Sequence, residues 1–431
     1  MGAYDLLLIG MFLVLVLIRV PIALCMLMSS FTYIMVSGKM PVNLISQSMV
    51  DGVYSFTTLA IPLFMATGEI MNSGGLTRRL FHFADTLVGH ITGGLGHVNV
   101  LASLFFSGVS GSAAADAAGL GNIEIKAMTD QGFDADFAVG ITAASSIIGP
   151  IFPPSGPMIL FGTFAGISVG AMFMGGMTVG IIMTIFLMIT VYILCKKKNY
   201  PRRPKASWAV RGRAFLTSFW ALLLPPFLVI GLNTGLVSTT EVGALAVMYA
   251  LLLGFVVYRE LKFGEFKEIL KKIVETVGMI MLLLAGGTVF ARVLGAQKVP
   301  QNLGAFLMSI TTNYYLVILI ILGFLLFLGT FMETTAAILI CIPLLMPIVD
   351  SIGINRIQFG IVMIFALMIG LLTPPMAICL FITSKIGKIS FERAFKAVRI
   401  YYVTFIIILL LIAYIPKITL WLPELVFGAA I

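Results

Sequence analysis

Ser107-Gly108-Val109-Ser110-Gly111-Ser112 is a run of small residues set inside an apolar stretch. Ser107, Ser110 and Ser112 offer hydroxyls, while Gly108 and Gly111 let the backbone bend and expose carbonyls. Neutral oxygens of this kind are what a small hard cation such as sodium takes as ligands. A carboxylate solute needs N–H and O–H donors instead, best supplied at helix N-termini. Both kinds of group are present, and close helix packing through small residues is the plainer use of the same composition. Two further points of chemistry are IIGPIFPPSG at 147–156 and MIGLLTPPM at 368–376. Pro153, Pro154, Pro374 and Pro375 have no N–H, so the carbonyls at Gly149, Pro150, Gly370 and Leu371 are expected to lose helical partners. Such carbonyls need an ion or a neighbouring side chain, and Ser155 and Thr373 add hydroxyls beside them. Glu333 lies within a second small turn, Gly329-Thr330-Phe331-Met332-Glu333, in the register of Ser112. It is expected to contact solute, ion or a proton. Asp116, four residues past Ser112, is expected to serve its helix structurally.

These points are related by one number. Gly149 to Gly370 is 221 residues, and the same shift carries Pro153 to Pro374, Gly74 to Gly295, Gly108 to Gly329 and Gly132 to Gly353. A constant offset over such a span marks an internal duplication. The chain has 431 residues, 60% hydrophobic and 10% charged. A soluble protein carries roughly 25% charged residues, so this one belongs in a bilayer. In a membrane chain, paired breaks in apolar segments point to a transporter with a midplane site.

The elements that must position these residues follow. The first copy, 1–196, reads as spans near 4–19 and 21–36 with a turn at Arg19-Val20-Pro21, a short helix near 40–50 and a span near 53–72. An amphipathic segment at 76–90 leads to two short arms, about 92–107 and 113–128, which form a re-entrant hairpin. Such a hairpin is allowed at membrane depth where protein or water covers its backbone. A crossing at 136–172, broken at the Pro-Pro pair, and a span at 177–195 complete the copy. A basic linker, 197–213, separates it from the second copy, 214–431. That copy has spans near 215–232, 242–258 and 274–294, an amphipathic stretch at 297–312, hairpin arms at 314–328 and 334–349, a broken crossing at 357–384 and a span at 399–415. The fold class expected is an all-α polytopic membrane protein of two repeats with five crossings each. Five is odd, so the repeats are inverted. With the linker cytoplasmic, 22 of the 27 Lys and Arg fall on the cytoplasmic side, which places both termini in the periplasm. The N-terminal stretch reads as a retained span rather than a cleaved signal.

Several functions are disfavoured. The net charge of +9 is explained by basic cytoplasmic loops rather than by nucleic acid. Cys25, Cys195, Cys341 and Cys379 are dispersed and suggest neither metal site nor disulfide framework. His82, His90 and His97 lack metal-ligand spacing and read as surface or interfacial residues. No Walker A sequence and no GxSxG elbow is present, so neither ATP hydrolysis nor an intramembrane hydrolase is expected. A passive channel and a proton-coupled carrier using Glu333 stay open as rivals to a sodium-coupled one.

The segments AIPLFMATGEIMNSGGLTRRL (60–80), GHVNVLASLFFSGVSGSAAADAAGLG (96–121), IIGPIFPPSGPMILFG (147–162), GTFMETTAAILICIPLLMPIV (329–349) and GLLTPPMAICLF (370–381) resemble the large membrane subunit of tripartite ATP-independent periplasmic (TRAP) transporters. The likeness runs along essentially the whole chain. It implies an elevator-type ion-transporter fold and sodium-driven import of an organic acid, such as sialic acid or a C4-dicarboxylate, across the bacterial inner membrane. It also implies a periplasmic substrate-binding protein and a small four-helix membrane subunit on a separate chain. Carried over, sodium is expected where each tip meets its break. The residues are Ser107, Gly108, Ser110, Gly149 and Pro153 on one side, and Gly329, Thr330, Gly370, Thr373 and Pro374 on the other. Solute is expected at Ser110, Ser112, Ser155, Glu333 and Thr373. Many relatives carry Asp where this chain has Glu333.

Overall fold

The computed structural model describes residues 3–18, 20–54, 58–198, 200, 202–233, 237–311 and 313–428. Arg19 of the expected first turn, positions 55–57 of the expected 53–72 span, Asn199 and Pro201 of the basic stretch, and Thr312 lie outside them.

Helices α1 (Ala3–Leu17), α2 (Ile22–Ser37), α3 (Asn43–Val53) and α4 (Ala60–Ser73) open the chain. Amphipathic α5 (Leu76–Val88) buries Leu76, Leu80 and Ala84 against the next helix. Hairpin 1 follows as α6 (Gly94–Ser110) and α7 (Ala113–Asp130). The first broken crossing is α8 (Ala135–Ser146) and α9 (Gly156–Ala165), and α10 (Val169–Lys198) closes this half. The second half has α11 (Trp208–Leu222), α12 (Leu224–Asn233), α13 (Thr239–Leu252) with a π-helical extension at Leu253–Val257, and long α14 (Phe263–Ala296). Then come α15 (Val299–Ile310), hairpin 2 as α16 (Tyr314–Phe331) and α17 (Thr334–Ser351), and the second broken crossing as α18 (Arg356–Gly370) and α19 (Ile378–Ile386). Helices α20 (Phe391–Tyr414) and α21 (Pro416–Phe427) end the described chain.

Among the described residues there is no strand, and seven helices are long and apolar enough to cross a bilayer. This is the all-α multi-pass membrane protein that the composition demands: with no water to satisfy backbone groups, spanning segments must bond internally. The hairpin and break helices recur at the same 221 shift as the glycines, α7 at Ala113 against α17 at Thr334 and α8 at Ala135 against α18 at Arg356.

Local chemistry sets the ends. Gly93 at φ 75° starts α6 and Gly111 at φ 60° stops it, both in the left-handed region that glycine enters without steric cost. In α9 the N-cap Ser155 accepts from the Met158 N–H, and Pro157 occupies the first turn, where no N–H is needed. Packing at the centre is by close approach rather than by a hydrophobic drive, since lipid is as apolar as the core. Gly176 of α10 lets that helix lie on the first break: a Cβ there would fall 2.5 Å from the Ile151 carbonyl. Met158 packs beside the same contact, and Phe161, Phe173, Phe365 and Phe405 are fully buried in the interior.

The structure adds detail that apolar run lengths do not carry. The tips are shorter than expected, because α6 runs through Ser110 and α16 through Phe331. The linker is helical from Trp208 and docked, not free: Arg203 pairs with Asp85 and its Nε donates to Gln131 Oε1 at 3.2 Å. Helix α21 was not expected, and it packs along α10.

Candidate functional site

Four helix starts and four helix ends meet at the two tips and two breaks. Ser112, Ser155, Glu333 and Ala377 are the N-caps of α7, α9, α17 and α19. Helices α6, α8, α16 and α18 end beside them. N-termini present N–H groups and partial positive charge; C-termini present carbonyls and partial negative charge. Each junction therefore offers groups for an anion and groups for a cation within a few residues.

At the first junction the backbones touch. A Cβ on Gly111 would lie 2.5 Å from the Pro154 carbonyl oxygen, and one on Gly149 would lie 3.3 Å from the Ser112 carbonyl carbon. At Gly111, with φ 60°, only glycine permits this approach; at Gly149 the fit is tight. Ser112 Oγ accepts from the Ala115 N–H at 3.4 Å, and Ser110 Oγ accepts from the Ser112 N–H at 3.3 Å. Pro153, Pro154 and Ser155 are buried. Ser155 Oγ donates to the Pro150 carbonyl at 2.5 Å and accepts from Met158 N–H at 3.2 Å. One of the carbonyls expected to be left open is thus satisfied by a neighbouring hydroxyl. Ser107 and Gly108 lie in the last turns of α6 rather than in the tip, and Ser107 Oγ donates back to Leu104 at 2.6 Å. The bend is made by Gly111 alone, and Gly108 instead gives room to Pro225 of α12.

At the second junction the Met376 N–H donates to the Thr330 carbonyl at 3.0 Å. A Cβ on Gly370 would overlap the Gly329 backbone, and one on Gly329 would lie 2.8 Å from the Leu367 carbonyl oxygen. The Gly370 carbonyl accepts from Thr373 N–H at 2.9 Å and the Leu371 carbonyl from Cys379 N–H at 3.3 Å. Thr373 Oγ1 is 3.0 Å from the Ile369 carbonyl and 3.1 Å from the Tyr402 hydroxyl, which is 2.7 Å from the Leu372 carbonyl. Pro375 is exposed and Thr373 and Pro374 half-buried, so this junction is the more open one. Glu333 is exposed and caps α17: its carboxylate accepts from Ala336 N–H at 3.2 Å and from Thr335 Oγ1 at 2.9 Å.

The junctions interlock. Helix α9 packs on α17 and α18, and α19 packs on α7 and α8, so each broken helix passes from its own hairpin to the other. Tyr402 is a hydroxyl that the sequence reading missed; one aromatic inside an apolar span carries no local signal. Also missed were Asn99 and Glu124, which the structure buries completely. Asn99, Ser103 and Ser107 recur every fourth residue, one helical face, and that stripe was the available signal. Asp116 is buried too, with Oδ1 accepting from Ser103 at 3.3 Å, while the cap of its helix is Ser112. His97, expected at a surface, is buried on α6.

Residues 9–418 match the family described as tripartite ATP-independent periplasmic transporter, DctM component. The chain is 42% identical over 408 residues to the sialic acid TRAP transporter large permease protein SiaM of Vibrio cholerae, covering 95% of this chain and 96% of that one. It is 38% identical to the sialic acid TRAP transporter permease protein SiaT of Haemophilus influenzae, covering 96% and 67%. It is 33% identical to the C4-dicarboxylate TRAP transporter large permease protein DctM of Pseudomonas aeruginosa, covering 86% of each. In fold it is similar to the crystal structure of the Alcanivorax borkumensis YdaH transporter, with a TM-score of 0.61 over 87% of each chain at 14% identity.

Proposed function

Since the chain belongs to the tripartite ATP-independent periplasmic transporters as their DctM component, we propose that it is the translocating subunit of a sodium-coupled importer of an organic acid. The observation that carries this is the pair of junctions, where helix ends of opposite polarity converge with backbones in contact at Gly111 and Gly370. Sodium is held by carbonyls and hydroxyls at the end of α6 and where each tip meets its break: Ser107 and Gly108 from the last turns of α6 with Ser110, Gly149 and Pro153 at the first, and Gly329, Thr330, Gly370, Thr373 and Pro374 at the second. The solute carboxylate lies between them and takes donors from the N-termini capped by Ser112 and Ser155, with Ser110 and Thr373 around it, while the Glu333 carboxylate accepts from a hydroxyl or N–H elsewhere on the solute. Sodium orders the tips, and the donors are then in place before the solute arrives. The names of the relatives, for sialic acid and for C4-dicarboxylates, support a carboxylate-bearing cargo.

Helices α6–α9 and α16–α19 form the body that moves as an elevator, and the remaining helices form the scaffold. A separate small subunit of four helices braces that scaffold, and a periplasmic binding protein delivers the solute. The chain lies in the inner membrane as inverted repeats with both termini periplasmic, the orientation that the 22 cytoplasmic basic residues support. Reconstitution into proteoliposomes with the partner proteins tests the reading. Labelled sialic acid or succinate is expected to accumulate under an inward sodium gradient and not under choline; accumulation indifferent to sodium would overturn it.

A further inference from the structure

The two hairpins are not held alike. In hairpin 1 a buried polar network ties α6, α7 and α8. Asn99 Nδ2 donates to Glu124 Oε2 at 2.6 Å and to Thr142 Oγ1 at 2.7 Å, and Ser145 Oγ donates to Asn99 Oδ1 at 2.7 Å. Ser103 Oγ is 3.1 Å from Ser145 Oγ, extending the network toward the tip. One shift of 221 along the chain, the positions of Asn99, Ser103, Glu124, Thr142 and Ser145 are Ile320, Phe324, Leu345, Met363 and Ala366. Hairpin 2 thus carries no polar side chain at these positions: Leu345, Met363 and Ala366 are buried among apolar neighbours, while Ile320 and Phe324 on α16 face outward and are exposed. Directional bonds between fully buried partners hold helices in one register, whereas apolar contacts let them slide and re-pack.

Four further features run the same way. The arms of hairpin 1 pack on each other, while α16 and α17 pack mainly on other helices, α16 on α18 and α17 on α14, α15 and α9. Helix α17 carries Pro343 and Pro347 in its interior, each removing a helical hydrogen bond. At the breaks, Ser155 caps α9 with its side chain, whereas α19 starts at Ala377 with no side-chain cap and φ 39°. Phe327 and Phe331, near the tip of hairpin 2, are 63% and 50% exposed, while Val109 beside the tip of hairpin 1 is buried.

We propose that hairpin 1 is the fixed half of the site, clamped by Asn99 and Glu124 as positioning residues, and that hairpin 2 is the lid that opens to admit solute. The proposal rests on the functional reading above for what the lid admits. The asymmetry itself is testable without transport. Hydrogen exchange of the purified full chain in lipid nanodiscs, without sodium, is expected to be at least about tenfold faster in peptides spanning 325–335 than in those spanning 105–116. Asn99→Leu and Glu124→Leu, which copy the apolar character of the other repeat, are expected to raise exchange at 105–116 to the level of 325–335. Glu124→Gln keeps an acceptor for Asn99 and is expected to keep both slow exchange and uptake. Size-exclusion profiles and melting curves separate a loosened tip from an unfolded chain. Equal exchange at the two tips in the unsubstituted protein overturns the lid. Unchanged exchange at 105–116 in both Leu variants overturns the clamp. Loss of uptake in Glu124→Gln with slow exchange kept assigns the carboxylate a role other than positioning. Absence of sodium-driven uptake in the unsubstituted protein would count against the functional reading only, since exchange is read independently of it.

Discussion

Gly370 is the residue on which the second junction turns. Its missing side chain is what lets the α18 terminus meet the Gly329 backbone. Gly370→Ala is expected to push the tip off the break and to cost about 1–3 kcal/mol, the usual range for overpacking. Gly156→Ala is the matched control, because a Cβ there meets nothing within 4 Å. Thermal unfolding in detergent checks the pair; equal melting temperatures would contradict the close approach. Glu333 gives a second prediction. Its carboxylate is engaged by the first turn of α17, which fits a capping group better than a proton carrier. Glu333→Gln is expected to weaken solute affinity while uptake still follows the sodium gradient. Uptake that loses its ion drive in this variant would favour proton coupling. At this scale the sequence was legible at the two Pro-Pro pairs, where both crossings break, and less so at the glycines, since Gly111 bends the tip while Gly108 only makes room for Pro225. Hydroxyls were less so: Ser107 and Ser155 read as free ligands until the structure showed each bonded to a carbonyl.

Elements were legible through repetition. The 221 shift located both hairpins and both breaks, because the glycines and prolines that end helices recur in it. Tip length was not legible, since a helix can continue through Ser and Thr until a residue such as Gly111 takes a positive φ. Nor was the docking of the linker, which depends on partners far along the chain. There Lys198 and the Tyr200 hydroxyl, the latter at 2.6 Å, donate to Asp134 and hold its carboxyl below the usual carboxylate range. A depressed carboxyl stabilises the fold fully above its ordinary pKa, and that contribution is lost as pH falls through the lower folded value. Acidification is therefore expected to release this loop, and Asp134→Asn to remove that part of the acid sensitivity. The effect is small, since both side chains are about half exposed. Unfolding profiles against pH compare the two proteins; superimposable acid limbs would contradict the assignment.

For the whole molecule, the sequence pointed to the fold class through composition and to the family through motifs spread along the chain. What it could not carry was how the halves cross, with α9 on hairpin 2 and α19 on hairpin 1. That crossing links the two junctions through shared helices, and in the proposed reading it is the route by which a sodium ion at either one acts on the solute between them. The central claim is that both junctions hold the ions and that the solute lies between. A cryo-EM map of the chain with its partner proteins, in saturating sodium and sialic acid or succinate, tests it directly. Ion density is expected beside the Gly111–Pro154 and Thr330–Met376 contacts, with solute density bounded by Ser110, Ser155 and Glu333. Solute density outside the space between the two tips, with both junctions empty of ions, would contradict it.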